Sequence, residues 1–111
     1  MINETVGEAL ILTPEINHLD TLNSNDFSNA CLPMIAQSKY IVLDMSKIQF
    51  VDSSGLGAIL TVVREAHTNS IGICVCAAVP SVKVLFRMVK LEKLIPIFGT
   101  REEAVAWSEG S

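Results

Sequence analysis

Aromatic residues are scarce in this chain: four Phe, one Tyr and one Trp, 5% of 111 residues. Half of the chain is hydrophobic all the same, so the core is expected to be aliphatic, built from Ile, Leu and Val. Positive charge is also in short supply. Eight Lys and Arg stand against twelve Asp and Glu, a net charge of −4. That balance argues against a nucleic-acid surface, which needs a basic face, and it is too mild for a disordered acidic tail. No apolar run approaches the roughly 18 residues that span a bilayer, and the longest candidate, Ile71 to Val79, is broken by Gly72. Met1-Ile2-Asn3-Glu4 lacks a basic region and an apolar signal run. Export and membrane contact are therefore not expected, and the cytoplasm is the expected location. The three cysteines, Cys31, Cys74 and Cys76, cannot form an even disulfide framework. Cys74 and Cys76 share one face of a presumed strand and have no histidine beside them. Buried reduced thiols are the simpler reading than zinc ligands, and no metal is expected. Repeats, linkers and low-complexity segments are absent. The length fits one domain, residues 1–111, able to bury about two-thirds of its unfolded surface.

What is present is concentrated in Phe50-Val51-Asp52-Ser53-Ser54-Gly55-Leu56-Gly57. Upstream, Tyr40 to Met45 is an apolar run of strand length, buried on both faces by its pattern. Downstream, Leu56, Ile59, Leu60 and Val63 recur at i, i+3, i+4 and i+7, the stripe of a helix facing a core, here from about Ser54 to Asn69. Ser53 and Ser54 thus fall in the first turn, where backbone N–H groups lack partners and the helix dipole favours an anion. A phosphate on either hydroxyl would be held there without disturbing the fold. Capping accounts for one of Asp52, Ser53 and Ser54, but it does not call for Gly55 and Gly57, which disfavour a helix by about 0.5–1 kcal/mol each. Close access to the backbone is the expected reason for both glycines.

The remaining elements follow from period and punctuation. Two short strands flank Gly7 and end at Pro14. A helical stripe of Phe27, Ala30, Cys31, Met34 and Ile35 spans about Asn25 to Ala36, with Pro33 on its polar face and a kink expected there. Ser70 to Ala77 reads as a strand. Ser81 reads as the N-cap of a helix carrying Val82, Leu85, Phe86 and Val89, and Leu94 to Phe98 as the last strand. Thr100-Arg101-Glu102-Glu103 is a capping box that opens a short helix with Val105 and Trp107. Strands alternating with helices imply an α/β domain: a mixed, largely parallel four- to five-stranded sheet with about four helices.

At the Asp52-Ser53-Ser54-Gly55-Leu56-Gly57 core the chain resembles the STAS family, named for sulphate transporters and anti-sigma-factor antagonists, and within it the free-standing bacterial antagonists. The likeness extends from the strand pair ending near Pro14-Glu15-Ile16-Asn17, through Ile41-Val42-Leu43-Asp44, to Pro80–Phe86 and Leu91–Ile97. The resemblance implies a single STAS-type domain that is a regulatory binding protein and not an enzyme. Unphosphorylated, such a protein binds an anti-sigma factor that is also a serine kinase of the histidine-kinase-like ATPase fold, and so releases a sigma factor. The kinase phosphorylates the serine directly before the glycine, by position Ser54, with Ser53 the lesser candidate, and a metal-dependent serine phosphatase reverses this. Partner contact is expected at Asn17, Asp52, Ser53, Gly55, Gly57 and Ala58. ATP belongs to the kinase, so the chain itself needs no cofactor, and it is expected to be a monomer when free. Family members often carry Asp at the position of Asn17, next to the serine loop. Here an amide keeps the hydrogen bonds and loses the charge.

Other readings are a STAS subunit of a lipid-transport complex, or a signalling scaffold, in which Ser54 is an interface residue that is never phosphorylated. An enzyme is the least favoured. The Gly-x-Ser-x-Gly elbow is absent, His67 lies about 20 Å along the helix from Ser54, and His18 sits in a polar loop. Lys83, Arg87, Lys90 and Lys93 form a basic stripe beside Val84 and Met88. Solvation explains it most simply, and an edge that meets an acidic partner is its functional reading.

Overall fold

The computed structural model describes residues 1–110, so the last residue of the expected domain, Ser111, lies outside the described residues. Strands β1 (Ile2–Val6) and β2 (Ala9–Thr13) form an antiparallel hairpin around Gly7, which takes the left-handed φ of +60° that the tight turn requires. Then come β3 (His18–Leu19), α1 (Ser24–Ile35), β4 (Tyr40–Asp44), β5 (Phe50–Val51) and α2 (Ser53–Thr68). The chain ends with β6 (Gly72–Cys76), α3 (Pro80–Met88), a 3-10 turn (Leu91–Lys93), β7 (Ile97–Phe98) and α4 (Arg101–Glu109). The main sheet has the order β1-β2-β4-β6-β7, all parallel except β1. Each crossover steps the same way across the sheet, and with a common right hand this places α1, α2 and α3 on one face. The main core lies there, between the sheet and Phe27, Ile35, Ile59, Val62, Val82 and Phe86. The other face of β2, β4 and β6 is covered by α4 through Ala104, Val105 and Trp107. The main core is aliphatic apart from Phe27 and Phe86, the second gathers Tyr40, Phe98 and Trp107, and β4 is buried on both sides, as its composition predicts. Among the described residues no helix is long and apolar enough to cross a membrane.

Several local expectations are corrected. Strand β6 is shorter than Ser70 to Ala77 because both of those residues have left-handed backbone, φ 57° and 59°, which closes the strand at each end. Ser81 is not the cap of α3. Val79 holds that place with no side-chain hydrogen bond, Pro80 occupies the first turn where its missing N–H costs nothing, and the Ser81 hydroxyl donates to the Gln49 carbonyl at 3.3 Å. Val89 lies past the end of α3 and is exposed, so the buried face is Val82 and Phe86 alone. The stretch Leu94 to Phe98 contributes only Ile97 and Phe98 to the sheet, after the 3-10 turn. Helix α1 continues for two residues past the exposed Pro33. The capping box is present in full: Glu103 N–H donates to Thr100 Oγ1 and Thr100 N–H to Glu103 Oε1, each at 3.2 Å.

One buried ion pair joins the layers at the C-terminal ends of the strands. Asp44, 4% exposed, accepts from Arg101 Nη2 at 2.8 Å and Nε at 3.1 Å, and Arg101 also reaches Glu4 at 2.7 Å and Thr13 Oγ1 at 3.2 Å. Burial alone would raise the Asp44 carboxyl. The hydrogen bonds from Ser46 and the Arg101 guanidinium outweigh it and hold the group below the usual carboxylate range.

Candidate functional site

A second, two-stranded parallel sheet that the sequence pattern did not reveal sets the geometry of the Asp-Ser-Ser-Gly segment. His18 pairs with Phe50 and Leu19 with Val51, and the Asp52 N–H continues the register by donating to the Leu19 carbonyl at 3.2 Å. Asp52 then turns the chain into α2 as its N-cap, in extended conformation at φ −95° and ψ −174°. Its two oxygens do different work. Oδ1 accepts from the Gly55 N–H at 2.8 Å, the helix cap proper. Oδ2 accepts from the Thr21 N–H at 3.3 Å and, more weakly, from Thr21 Oγ1 at 3.4 Å. Thr21 Oγ1 also shares a hydrogen bond with Ser54 Oγ at 3.1 Å. The loop between β3 and α1 is thereby pinned on the first turn of α2.

That loop is knit internally as well. Asp20 Oδ1 accepts from the Leu22 N–H at 3.0 Å, Asn23 Oδ1 from the Asp20 N–H at 3.0 Å, and Asn23 Nδ2 donates to the His18 carbonyl at 2.7 Å. At its tip the Leu22 side chain is 91% exposed, beside the serines.

The candidate residues separate by position. Ser53 is exposed and Ser54 half-buried under Thr21. Gly57 is exposed, and a Cβ built on it would meet nothing within 4 Å. Gly55 is different. It is buried, and a Cβ there would fall on the backbone of Leu19, 2.8 Å from its carbonyl carbon and 2.9 Å from its Cγ. The close approach that Gly55 permits is thus internal, between α2 and β3, and not an approach from outside. Ala58 is likewise buried. Asn17 does not stand next to the serines. Its carbonyl accepts from the N–H of Gln49 at 2.6 Å and of Phe50 at 3.3 Å, three register positions before Asp52, about 10 Å at 3.3 Å per residue. The residues beside Asp52 and Ser54 are Asp20 and Thr21, because the β3 register delivers those two. Neither Thr21 nor Leu22 carries a sequence motif. The one available hint was a polar loop of Asp20-Thr21-Leu22-Asn23 between a hydrophobic residue and a helix.

The histidines lie elsewhere. His18 packs edge-on against Phe50 with ring centroids 5.8 Å apart, and His67 is in the last turn of α2. Among the described residues no group of three His, Cys, Asp or Glu side chains is placed to hold a metal. Cys31, Cys74 and Cys76 are buried and unbridged, and burial pushes each thiol up to about 12.

The site is thus a serine pair at a helix start of a small α/β domain, presented beside an ordered loop. The model of the STAS domain matches residues 2–104, and the chain belongs to that family. Over 69 residues, 62% of the chain, it is 36% identical to the anti-sigma F factor antagonist of Paenibacillus polymyxa, and the match spans 59% of that relative's length. Among solved structures, an anti-sigma-factor antagonist (STAS) domain protein from Planctomyces limnophilus superposes with a TM-score of 0.87 at 12% identity, covering 99% of this chain and 97% of that one. The Bacillus cell fate determinant SpoIIAA in its phosphorylated form gives a TM-score of 0.73 at 22% identity, with 96% and 97% covered. These two likenesses establish the STAS fold.

Proposed function

We propose that this chain is an anti-sigma factor antagonist switched by phosphorylation of Ser54. Unphosphorylated, it binds an anti-sigma factor that is also a serine kinase, and so frees a sigma factor. Phosphorylation ends that binding, and a serine phosphatase restores it. The protein acts as a regulator in the cytoplasm, a monomer when free, with no catalytic step and no cofactor of its own. The observation that carries the reading is the place of Ser54: in the first turn of α2, one residue before Gly55, with its hydroxyl at the surface beside Thr21 and Asp52. Its likeness to the Paenibacillus polymyxa antagonist supports the same reading. Of the candidate contact residues, Ser53 and Gly57 face outward and meet the partner directly. Asp52, Gly55 and Ala58 shape the surface from beneath, and Asn17 lies at its margin.

The test is to incubate the chain with its cognate kinase and ATP and to map the modification by mass spectrometry. Phosphate is expected on Ser54. Ser54→Ala should retain partner binding, since only a small hydroxyl is lost, and Ser54→Asp should weaken it. Phosphate confined to another residue, or none at all from a kinase proven active, would refute the assignment.

A further inference from the structure

Charge is strongly segregated in this chain. The stretch 81–98 holds four of the eight Lys and Arg and one of the twelve acids, a net +3, which leaves −7 on the remainder. Helix α3 sorts this stretch into two faces. Val82 and Phe86 are buried, while Lys83, Val84, Arg87 and Met88 all face water. Val84 is 49% exposed and Met88 74% exposed, and at i and i+4 they adjoin each other, with Lys83 and Arg87 spaced alike along their flank. Lys83 and Arg87 line the flank of α3 that looks toward β7, together with Glu92, Ile97, Phe98 and Gly99, and the opposite flank looks toward β5. A shallow depression of about 200 Å³ between α3 and β5 is lined by Gln49, Phe50, Val51, Ser81, Val82 and Leu85. Phe50, on its rim, is 53% exposed and stands two residues before Asp52.

We propose that the exposed face of α3 is a second arm of the Ser54 interface, and that it receives an acidic segment of the same protein partner, one that carries apolar side chains to cover Val84, Met88 and Phe50. The inference rests on the proposed function and specifies the chemistry of its partner. Three observations select that occupant. The patch is basic within an acidic protein, so an acidic segment is attracted locally, while the rest of the surface repels it at other orientations. Apolar side chains interleave with the cations, which suits a protein surface of mixed character and not a polyanion alone. The remaining −7 and the lack of an exposed Trp or Tyr on this face argue against a lipid surface, where aromatic anchors are the rule. Electrostatic steering through α3 would orient the partner so that its approach ends on Ser54.

The experiment is a titration of the cognate anti-sigma factor against wild type, Arg87→Glu, Lys83→Glu with Arg87→Glu, and Met88→Asp. Lys39→Glu, a reversal on the opposite part of the sheet where Lys39 pairs with Glu8, serves as the matched control. Reversal of Arg87 is expected to weaken binding about tenfold at 0.15 M salt, and the double reversal to weaken it further and flatten the salt dependence. Lys39→Glu should stay within about twofold, and all variants should keep the circular dichroism and thermal midpoint of wild type to within a few degrees, since these side chains are exposed. Wild-type binding that Arg87→Glu leaves unchanged, or that Lys39→Glu weakens equally, overturns the inference and leaves the Ser54 reading standing. Absence of any wild-type binding overturns both. A parallel sedimentation with phosphatidylserine–phosphatidylcholine vesicles assigns the face to a lipid surface, and overturns the inference, if wild type pellets and Arg87→Glu does not.

Discussion

The two glycines of α2 make opposite predictions although only two residues separate them. At Gly55 a methyl group would be driven into the carbonyl of Leu19, whose oxygen already accepts from Asp52 and whose strand is paired with β5. Neither side can give way cheaply, because the obstacle is backbone. Overpacking of this kind costs about 1–3 kcal/mol, and a main-chain collision belongs at or above the upper end. At about 4 °C per kcal/mol for a domain of this length, Gly55→Ala should lower the thermal midpoint by roughly 12 °C or more. Gly57 has no neighbour within 4 Å and lies inside the helix, where Ala is favoured over Gly by about 0.5–1 kcal/mol. Gly57→Ala should therefore raise the midpoint by roughly 2–4 °C. Gly57→Arg should leave the midpoint within a few degrees yet abolish partner binding, because the side chain would project from the surface that carries Ser54. Thermal unfolding followed by circular dichroism on the three variants decides the matter. A Gly55→Ala protein as stable as wild type would mean that α2 does not rest on Leu19 as described, and a large loss in Gly57→Ala would mean that Gly57 is packed inside.

Removing Arg101 leaves a buried carboxylate alone: Arg101→Met should cost roughly 2–3 kcal/mol at pH 7 by chemical denaturation, below the usual value for a fully buried pair because the guanidinium is partly exposed. Asp44 is held below its ordinary pKa, so the wild-type pair stabilises above about pH 4 and loses that contribution as pH falls through the folded value. The gap between variant and wild type should accordingly narrow on acidification, and a gap independent of pH would refute the assignment. The cysteines, with thiols pushed up to about 12 by burial, should resist alkylation by iodoacetamide at pH 8 in the native state and react fully in denaturant. Labelling of Cys74 or Cys76 without unfolding would contradict their burial. Asp52→Asn keeps a good N-cap oxygen but can turn a donor toward the Thr21 N–H, so it should leave stability within about 1 kcal/mol while speeding hydrogen exchange of the Thr21 amide. Unchanged exchange would detach Thr21 from Asp52.

The main sheet and its helices were legible because each has a strong period: the double-sided apolar run of β4, the stripe of α2, the capping box of α4. What the pattern misjudged in α2 is instructive. It selected Leu56, Ile59, Leu60 and Val63, whereas the buried face is Gly55, Ala58, Ile59, Val62, Val63 and Ala66, with Leu56 and Leu60 at the rim. Counting large apolar residues overlooks the small ones, and the smallest, Gly55, marks where α2 closes on β3. Close access to the backbone was expected at Gly55, and the group that approaches it is Leu19 of the same chain. The β3–β5 pair was illegible for a different reason. Strands of two residues have no period, and their pairing joins His18 to Phe50 across 32 positions through backbone bonds that any side chain permits. Since that register alone decides which loop residue meets Ser54, Thr21 was missed and Asn17 was placed too close. Motif reading singled out Ser54 as the candidate, and only the fold showed that Thr21 is its neighbour.

Under the proposed switch, the division of labour at Asp52 leaves backbone donors for a phosphate at Ser54. The first turn of α2 offers the N–H groups of Ser53, Ser54 and Gly55 before intrahelical bonding begins with Leu56 N–H on the Asp52 carbonyl at 2.9 Å. Asp52 Oδ1 takes only the Gly55 donor, so two donors at the positive end of the helix dipole remain for an added anion. Asp52 itself, close by and anionic, opposes that anion, and the two effects offset each other in part. The change a partner senses is then chiefly the added charge of about −1.5 to −2 at the surface. One such unit at roughly 6 Å from a partner carboxylate is repelled by about 0.7 kcal/mol in water and about 3 kcal/mol at an effective dielectric of 20. With tenfold in affinity for each 1.4 kcal/mol, a phosphate of about 1.5–2 such units costs roughly a thousandfold or more in binding at a dry contact around Ser54, and only about six- to tenfold at a wet one. Whether the switch is sharp therefore depends on how well water is excluded around the serine. Leu22, next to the Thr21 that bonds Ser54, is the large exposed apolar side chain nearest in sequence to that contact.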